Sequence, residues 1–457
     1  MRIKSKITKK IMLIIPALLL FIFLHNPLVF GETVKKQDGG ALRGVVKGLI
    51  VNNGQIYYTR IPGARVNLEF TKFKTVSGED GRFEITNIPP GNYMLSINME
   101  NHDPITKQVE IKEGKMLRSG VFVFLIGMNK KLPSILPGSI IGAFMSVKEK
   151  KNTGNRNELG HEIKDTPLNS LIFYKPDTYI AYLEIVLADE PAMITNGNSG
   201  RYLYVANNRN NLEIWDLKNL EREKILHMPG PISDMEWNEK RTKLYLSFFH
   251  AEKSGIVIID TKKRDVARII IPPPTGQITS AVPVEDEDAI MGVIGRPKDG
   301  RLVEIRYNSK KSTITRNRKV GDLPIDLAYI GHFQNIIVLN HLGRNIITLG
   351  RDKMDIKFYQ ALDGTPARII KGLKDMKAYV SVIDRGQVIV LDTETGRKIG
   401  HIPVGERPCY MCRREGLIMV GNRADRSISI IDGALDKVIA MTAREDFDYI
   451  NGVTVLP

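Results

Sequence analysis

Apolar and polar residues alternate along most of this chain with a period of two. A strand turns successive side chains to opposite faces, so short alternating runs predict half-buried β-strands. Between residues 41 and 126 such runs are "ARVNLEF", "GRFEIT", "YMLSINM", "KQVEI" and "VFVFL". Turn residues bound them at Ile61-Pro62-Gly63, at Ser77–Gly81 and at Pro89–Asn92. This spacing predicts a small β-sandwich over 41–126. The stretch "GMNKKLPSILPG", 127–138, holds two prolines and two glycines and reads as a linker. From 139 to 457 the pattern repeats. Each unit has an apolar run, a polar turn, a second strand often closing on Asp, another turn and a third strand. Matching positions fall at Lys175, Asp216, Asp260, Arg306, Gly350, Asp392 and Asp432. Their spacing is in the range of a four-stranded propeller blade, about 40–50 residues.

The expected fold class is therefore all-β: a sandwich followed by a seven-bladed β-propeller. The first copy, Asn169–Leu187, lacks an inner strand, and "INGVTVLP", 450–457, offers a spare one. A first blade shared between both ends would remove the open edges of the ring. The polar stretch 146–167 reads as a loop inserted in that blade.

Two stretches resemble known families. "IPGARVNLEF", "TVSGEDGRFEITNIPPGNYMLSI" and "ENHDP" are similar to the carboxypeptidase regulatory-like domain, which implies a transthyretin-like sandwich and an accessory module without catalytic residues of its own. In that run Asp80-Gly81 suits a tight turn with positive φ, while Phe83 and Ile85 alternate into a core. The later units resemble the YVTN-type propeller repeat, most closely in "VIVLDTETGRKIGHIPVGERP" and "YLYVANNRNNLEIWD". Trp215-Asp216 is similar to a WD40 signature, but the Gly-His of that family does not recur.

The N-terminus changes the picture. Five cations without an acid precede the apolar run Ile11–Leu24, and Val29 and Gly31 are small enough for a peptidase site. Residues 1–31 read as a secretory signal, or as an uncleaved anchor where the signal is retained. The run is short for a membrane span, which takes about 20 residues, and no later segment is long and apolar enough. The protein is expected to be exported, to the periplasm or the cell surface. Nucleic acid is not an expected partner. Of the formal charge of +15, ten units remain after Gly31; such a charge favours anionic surfaces or simply aids solubility. The expected partner is a protein or a cell-envelope polymer.

Candidate chemistry is sparse. The eight histidines are scattered, "EDEDA" at 285–289 lacks the spacing of a calcium loop, and no phosphate-binding or nucleophile-elbow run stands in a suitable context. No metal and no cofactor is expected. Aligning the inner strands on Pro191, Pro231, Gln277, Pro324, Pro366 and Pro408 puts an apolar set on one face. The opposite face carries Met193, Ser233, Thr279, Asp326, Arg368 and Tyr410. Ser233, Asp326, Arg368 and Tyr410 are the candidate ligand contacts at a central channel; an ordinary salt bridge between Asp326 and Arg368 is the alternative. Cys409 and Cys412 form a C-x-x-C pair. Three residues of extended strand span about 10 Å, whereas a disulfide needs Cα atoms within about 7 Å, so two unpaired thiols are expected, with Cys409 packing.

These features favour a non-catalytic binding or scaffold protein recognising its partner through propeller loops. One alternative is a propeller subunit of a periplasmic oxidoreductase or a channel-site enzyme. Another is a cell-surface protein binding acidic glycan.

Overall fold

The computed structural model describes residues 39–52, 55–128, 132–145, 169–250, 253–272, 276–284, 289–308, 311–444 and 447–457. The signal-like segment 1–31, the polar stretch 146–167 and most of "EDEDA" lie outside the described residues. The described elements are strands, with short 3-10 turns at Gly331–Phe333 and Leu373–Asp375, so the fold is all-β.

The N-terminal unit is built on the long strand Gly40–Asn52. It pairs antiparallel with Gln55–Arg60 and Arg82–Ile88, and parallel with Met116–Met128. A second sheet runs Lys74–Val76, Arg65–Leu68, Gly91–Asn98, Ile105–Ile111. Alternation closes the core: Leu42, Val46, Phe83 and Phe122 from the first sheet meet Val66, Leu68, Leu95 and Ile97 from the second. The turn before Arg82 requires glycine at one position. Gly81 has φ +73°, and a Cβ there would stand 2.3 Å from the Val46 carbonyl oxygen.

Beyond residue 190 the chain folds into six four-stranded meanders, at 191–227, 232–270, 278–321, 324–361, 366–403 and 408–443. The middle strands are buried on both faces, as in Asn335–Asn340 and Asn345–Gly350. Each meander is thus covered by neighbours on both sides, which is why these runs read as nearly continuous apolar stretches. The fourth strands alternate instead, as Lys437–Ala443 does, with one face outward.

A further sheet has the order Tyr449–Val455, Ile140–Met145, Asn169–Tyr174, Ala181–Leu187. Its first strand is the C-terminal one, antiparallel to Ile140–Met145. First strands of successive sheets touch in chain order, and Tyr449–Val455 touches both Pro408–Arg414 and Pro191–Asn196. Side chains tie each sheet to the next. Ser233 Oγ donates to the Ile278 carbonyl, Thr279 Oγ1 to that of Pro324, and Asn451 Nδ2 to that of Pro191.

The repeated positions read from the sequence occupy one structural place. Asp216, Asp260, Arg306, Gly350, Asp392 and Asp432 each lie opposite the first residue of the preceding strand in their meander. The four aspartates accept backbone N–H groups of the following turn, at Lys218, Lys262, Thr395 and Ala434. An Asx turn of this kind is the physical reason for Asp at that point in the repeat.

Strand Gln55–Arg60 also pairs with Ala181–Leu187, so one sheet runs from the C-terminal strand into the N-terminal unit. At that junction the buried Glu184 accepts from Lys47 Nζ at 2.6 Å, Arg60 Nη2 at 2.9 Å and Ser170 Oγ at 3.0 Å.

Candidate functional site

The first strands of all seven sheets border one cavity of about 750 Å³. In each strand a bulge near the start resets the alternation: the register shifts at residues 192, 233, 279, 325, 367, 409 and 451. Two positions beyond the bulge-following residue stand Thr195, Glu236, Val282, Ala328, Ile370, Cys412 and Thr454, and every one of them lines the cavity. Turns between first and second strands form the rim, including Asn238–Arg241, His332 and Asp375.

Below the cavity lies a charged layer formed by the residues that directly follow the bulges. Arg368 Nη1 donates to Asp234 Oδ1 at 2.7 Å and stands 3.8 Å from Asp326 Oδ2; its Nη2 donates to the Ser233 carbonyl at 3.3 Å. Asp326 accepts backbone N–H groups from Leu327 and Ile369, both at 2.9 Å. Ser280 Oγ is 2.6 Å from Asp234 Oδ2 and 3.1 Å from Asp326 Oδ1. A hydroxyl has one proton to give. The shorter contact, to Asp234, takes it.

Burial pushes the Asp326 carboxyl up to about 7; Arg368 pulls the other way, and Asp234 adds to the rise. Burial works against the Arg368 charge, but the carboxylates of Asp234 and Asp326 outweigh it and raise its pKa. Directly above, Glu236 makes neither a hydrogen bond nor an ion pair with the described residues. Burial, then the carboxylates of Asp234 and Asp326, hold its carboxyl well above the usual range. Glu236 is thus held toward its protonated form and lies open to the cavity.

The wall beside Glu236 is cationic and partly aromatic. Arg241 lies over the Trp237 ring at 5.6 Å, and Trp237 Nε1 donates to Thr195 Oγ1 at 2.9 Å. Burial lowers the Arg241 pKa; Glu236 and Cys412 oppose this, and the nearby Arg413 charge adds to it. Neither Arg241 nor Arg413 forms an ion pair with a carboxylate among the described residues. Lys371, by contrast, is paired with Asp375 at 3.1 Å.

Of the four residues expected at a channel, Asp326 and Arg368 do meet, as an ion pair reinforced by Asp234. Tyr410 occupies the same layer on its own strand and packs into the cluster of Met419, Ile430 and Ile450. Ser233 is displaced from the expected face. It is a bulge residue whose hydroxyl lies 3.3 Å from the Ser247 carbonyl and 3.2 Å from that of Ile278, and only its backbone oxygen reaches Arg368. The reason is a one-residue slip in two strands. Ile232 and Ile278, not Pro231 and Gln277, are the counterparts of Pro324 and Pro366. Asp234 and Ser280 therefore take the places given to Ser233 and Thr279. The corrected register is regular: Pro191, Ile232, Ile278, Pro324 and Pro366 each pair with a residue sixteen positions later.

Among the described residues no group of three or more His, Cys, Asp or Glu side chains is arranged to hold a metal ion. Cys409, at a bulge, and Cys412, at the cavity, are both free thiols. No described helix is long and apolar enough to cross a membrane.

Residues 46–121 match the family model of the CarboxypepD_reg-like domain, which establishes the N-terminal unit as a domain of that kind. No curated protein matches the chain. Among solved structures, the chain is similar to hydrazine synthase of Kuenenia stuttgartiensis. The identity is 16%, the match covers 59% of this chain and 93% of that one, and the TM-score is 0.49.

Proposed function

We propose that the protein is an exported, non-catalytic binding protein, built as a closed YVTN-type β-propeller of seven blades that carries its CarboxypepD_reg-like sandwich rigidly. The cycle of contacts among first strands supports the ring, with the C-terminal strand as its closing element. Its partner is a protein or cell-envelope polymer, held at the cavity and the turns around it, since turns on a rigid scaffold commonly carry recognition.

One observation carries this reading. Asp234, Asp326 and Arg368 are committed to one another at the base of the cavity, so the most charged layer serves as a floor beneath an open, mixed-polarity pocket. The test is retention of native envelope material by the immobilised protein, compared with an Ala328→Trp variant that fills the cavity. Loss of retention in the variant is expected; equal retention would overturn the reading.

Glu236 favours one alternative, a channel-site enzyme, because a carboxyl held well above its usual range and open to a cavity suits proton donation. Turnover of retained material that disappears in Glu236→Gln would select it. The acidic-glycan reading demands salt-sensitive retention.

A further inference from the structure

The cavity wall is chemically lopsided. Its acids are mostly offset: Asp375 pairs with Lys371, Asp234 and Asp326 in the floor face Arg368, and burial holds the Glu236 carboxyl well above its usual range, while Glu239 stands exposed at the rim. Its two half-buried guanidiniums, Arg241 and Arg413, have no carboxylate ion pair among the described residues, and the Arg413 charge lowers the Arg241 pKa. Two like charges in one partly desolvated wall are unfavourable unless an anion joins them. A guanidinium presents parallel N–H groups that match the two oxygens of a carboxylate or a phosphate. The opposite wall is apolar, with Val282, Val284, Ala328 and Ile370. The volume, about 750 Å³, is that of a small-molecule site.

Resting on the binding reading above, we propose that the cavity holds a small organic acid. Its carboxylate or phosphate lies between Arg241 and Arg413, its carbon skeleton against the Val282–Ala328–Ile370 wall, and a hydroxyl or carbonyl reaches Glu236. A free metabolite and the terminal acidic group of an envelope polymer share this chemistry. The floor sets the polarity: a protonated Glu236 carboxyl donates a hydrogen bond to an acceptor, where an ionised one would repel the anion.

The test is calorimetric titration of the purified protein with galacturonate, with glucose 6-phosphate, and with glucose as the neutral control. Galacturonate or glucose 6-phosphate is expected to bind and glucose not to. Affinity should fall at least about tenfold in the double variant Arg241→Met/Arg413→Met. Which acid binds decides between carboxylate and phosphate. A pectic oligogalacturonide that binds better than galacturonate identifies a polymer end as the source; equal or weaker binding identifies the free acid. Absence of heat with both acids at about 10 mM overturns the proposal, as does equal affinity in the double variant. Where the Met pair does not unfold cooperatively, Arg241→Lys/Arg413→Lys replaces it. That variant keeps the charge and loses the fork, so several-fold weakening is expected and no weakening overturns the proposal. Retention of envelope material that persists unchanged in these variants while Ala328→Trp abolishes it leaves the binding reading standing and removes only the organic acid.

Discussion

Arg368 reaches Asp234 at 2.7 Å across 134 positions of sequence, from the 366–403 meander to the 232–270 meander, with two further meanders between them in chain order. The ion pair bridges first strands that are not neighbours, and Asp326 on an intervening strand lies 3.8 Å from the same guanidinium. Removing the cation strands two carboxylates in a buried layer. Arg368→Met is expected to cost roughly 3 kcal/mol of stability, read from urea unfolding. Asp234→Asn added to it should cost less than the sum of the two single changes, because the groups share one network. Additive losses would mean that the pair is not coupled.

The same layer makes stability depend on pH. Asp326 titrates near 3.8 when unfolded and near 7 when folded, and Glu236 is displaced in the same direction. The folded state therefore binds more protons than the unfolded one between these values, and stability falls as pH rises through that window. Facing these groups are Asp234, Arg368, Lys371, Arg241, Arg413 and the Cys412 thiol. Glu304 acts oppositely: hydrogen bonding by Arg316 lowers its carboxyl to about 2, so its contribution is present above the ordinary Glu range and lost only as pH falls towards 2. Between pH 5 and 8 the first effect should dominate. Unfolding midpoints of the parent are expected to decline over that range, and those of Glu236→Gln to decline less. Identical profiles would show that Glu236 is ionised in the folded protein.

Much of this fold was legible because its repeat has a physical cause. The aspartates at 216, 260, 392 and 432 cap one kind of turn, so they recur where the third strand ends. The sandwich was legible for a similar reason, since the glycine of "EDGRFEI" is required where Val46 approaches. The site was harder to read. A bulge adds one residue without a mark in the hydrophobic pattern, and a one-residue slip exchanges the two faces of a strand. Asp234 was lost to Ser233 in that way. Arg241 and Arg413 lie beyond or near the strand ends, and their approach depends on closure between the 232–270 and 408–443 meanders, which periodicity does not encode. The joining of sandwich and meanders through Gln55–Arg60 was likewise invisible, because an edge strand carries no label for its partner.

That joint makes a separate prediction. Glu184 is wholly buried and shared by Lys47 and Arg60, within a sheet that belongs to both units. Glu184→Ala strips both cations of the carboxylate they share and is expected to cost about 3–5 kcal/mol. Because strands Gln55–Arg60 and Ala181–Leu187 unfold together, the parent should lose both units in one thermal transition. Two well-separated transitions in the parent, with only one moved by Glu184→Ala, would show that the units are coupled weakly.

The C-x-x-C pair offers a direct check on the strand register beneath the site. Cys409 occupies the bulge of Pro408–Arg414, and Cys412 follows on regular strand, opposite Met419. Burial pushes the Cys412 thiol up to about 12 and raises that of Cys409 as well. Alkylation requires the thiolate, so native labelling of Cys412 at pH 8 should be at least about a hundredfold slower than labelling of the urea-unfolded chain. Peptide mass spectrometry of the native protein is expected to recover both thiols unlinked. A Cys409–Cys412 disulfide would require the strand to fold back within three residues, and would remove both the bulge and the placement of Cys412 on the cavity wall. Cys412 also reports occupancy, because it lines the same cavity as Arg241 and Arg413. An organic acid held there should slow its alkylation further while leaving Cys409 unaffected. Equal slowing at both cysteines would locate the effect in global stabilisation instead of in the cavity.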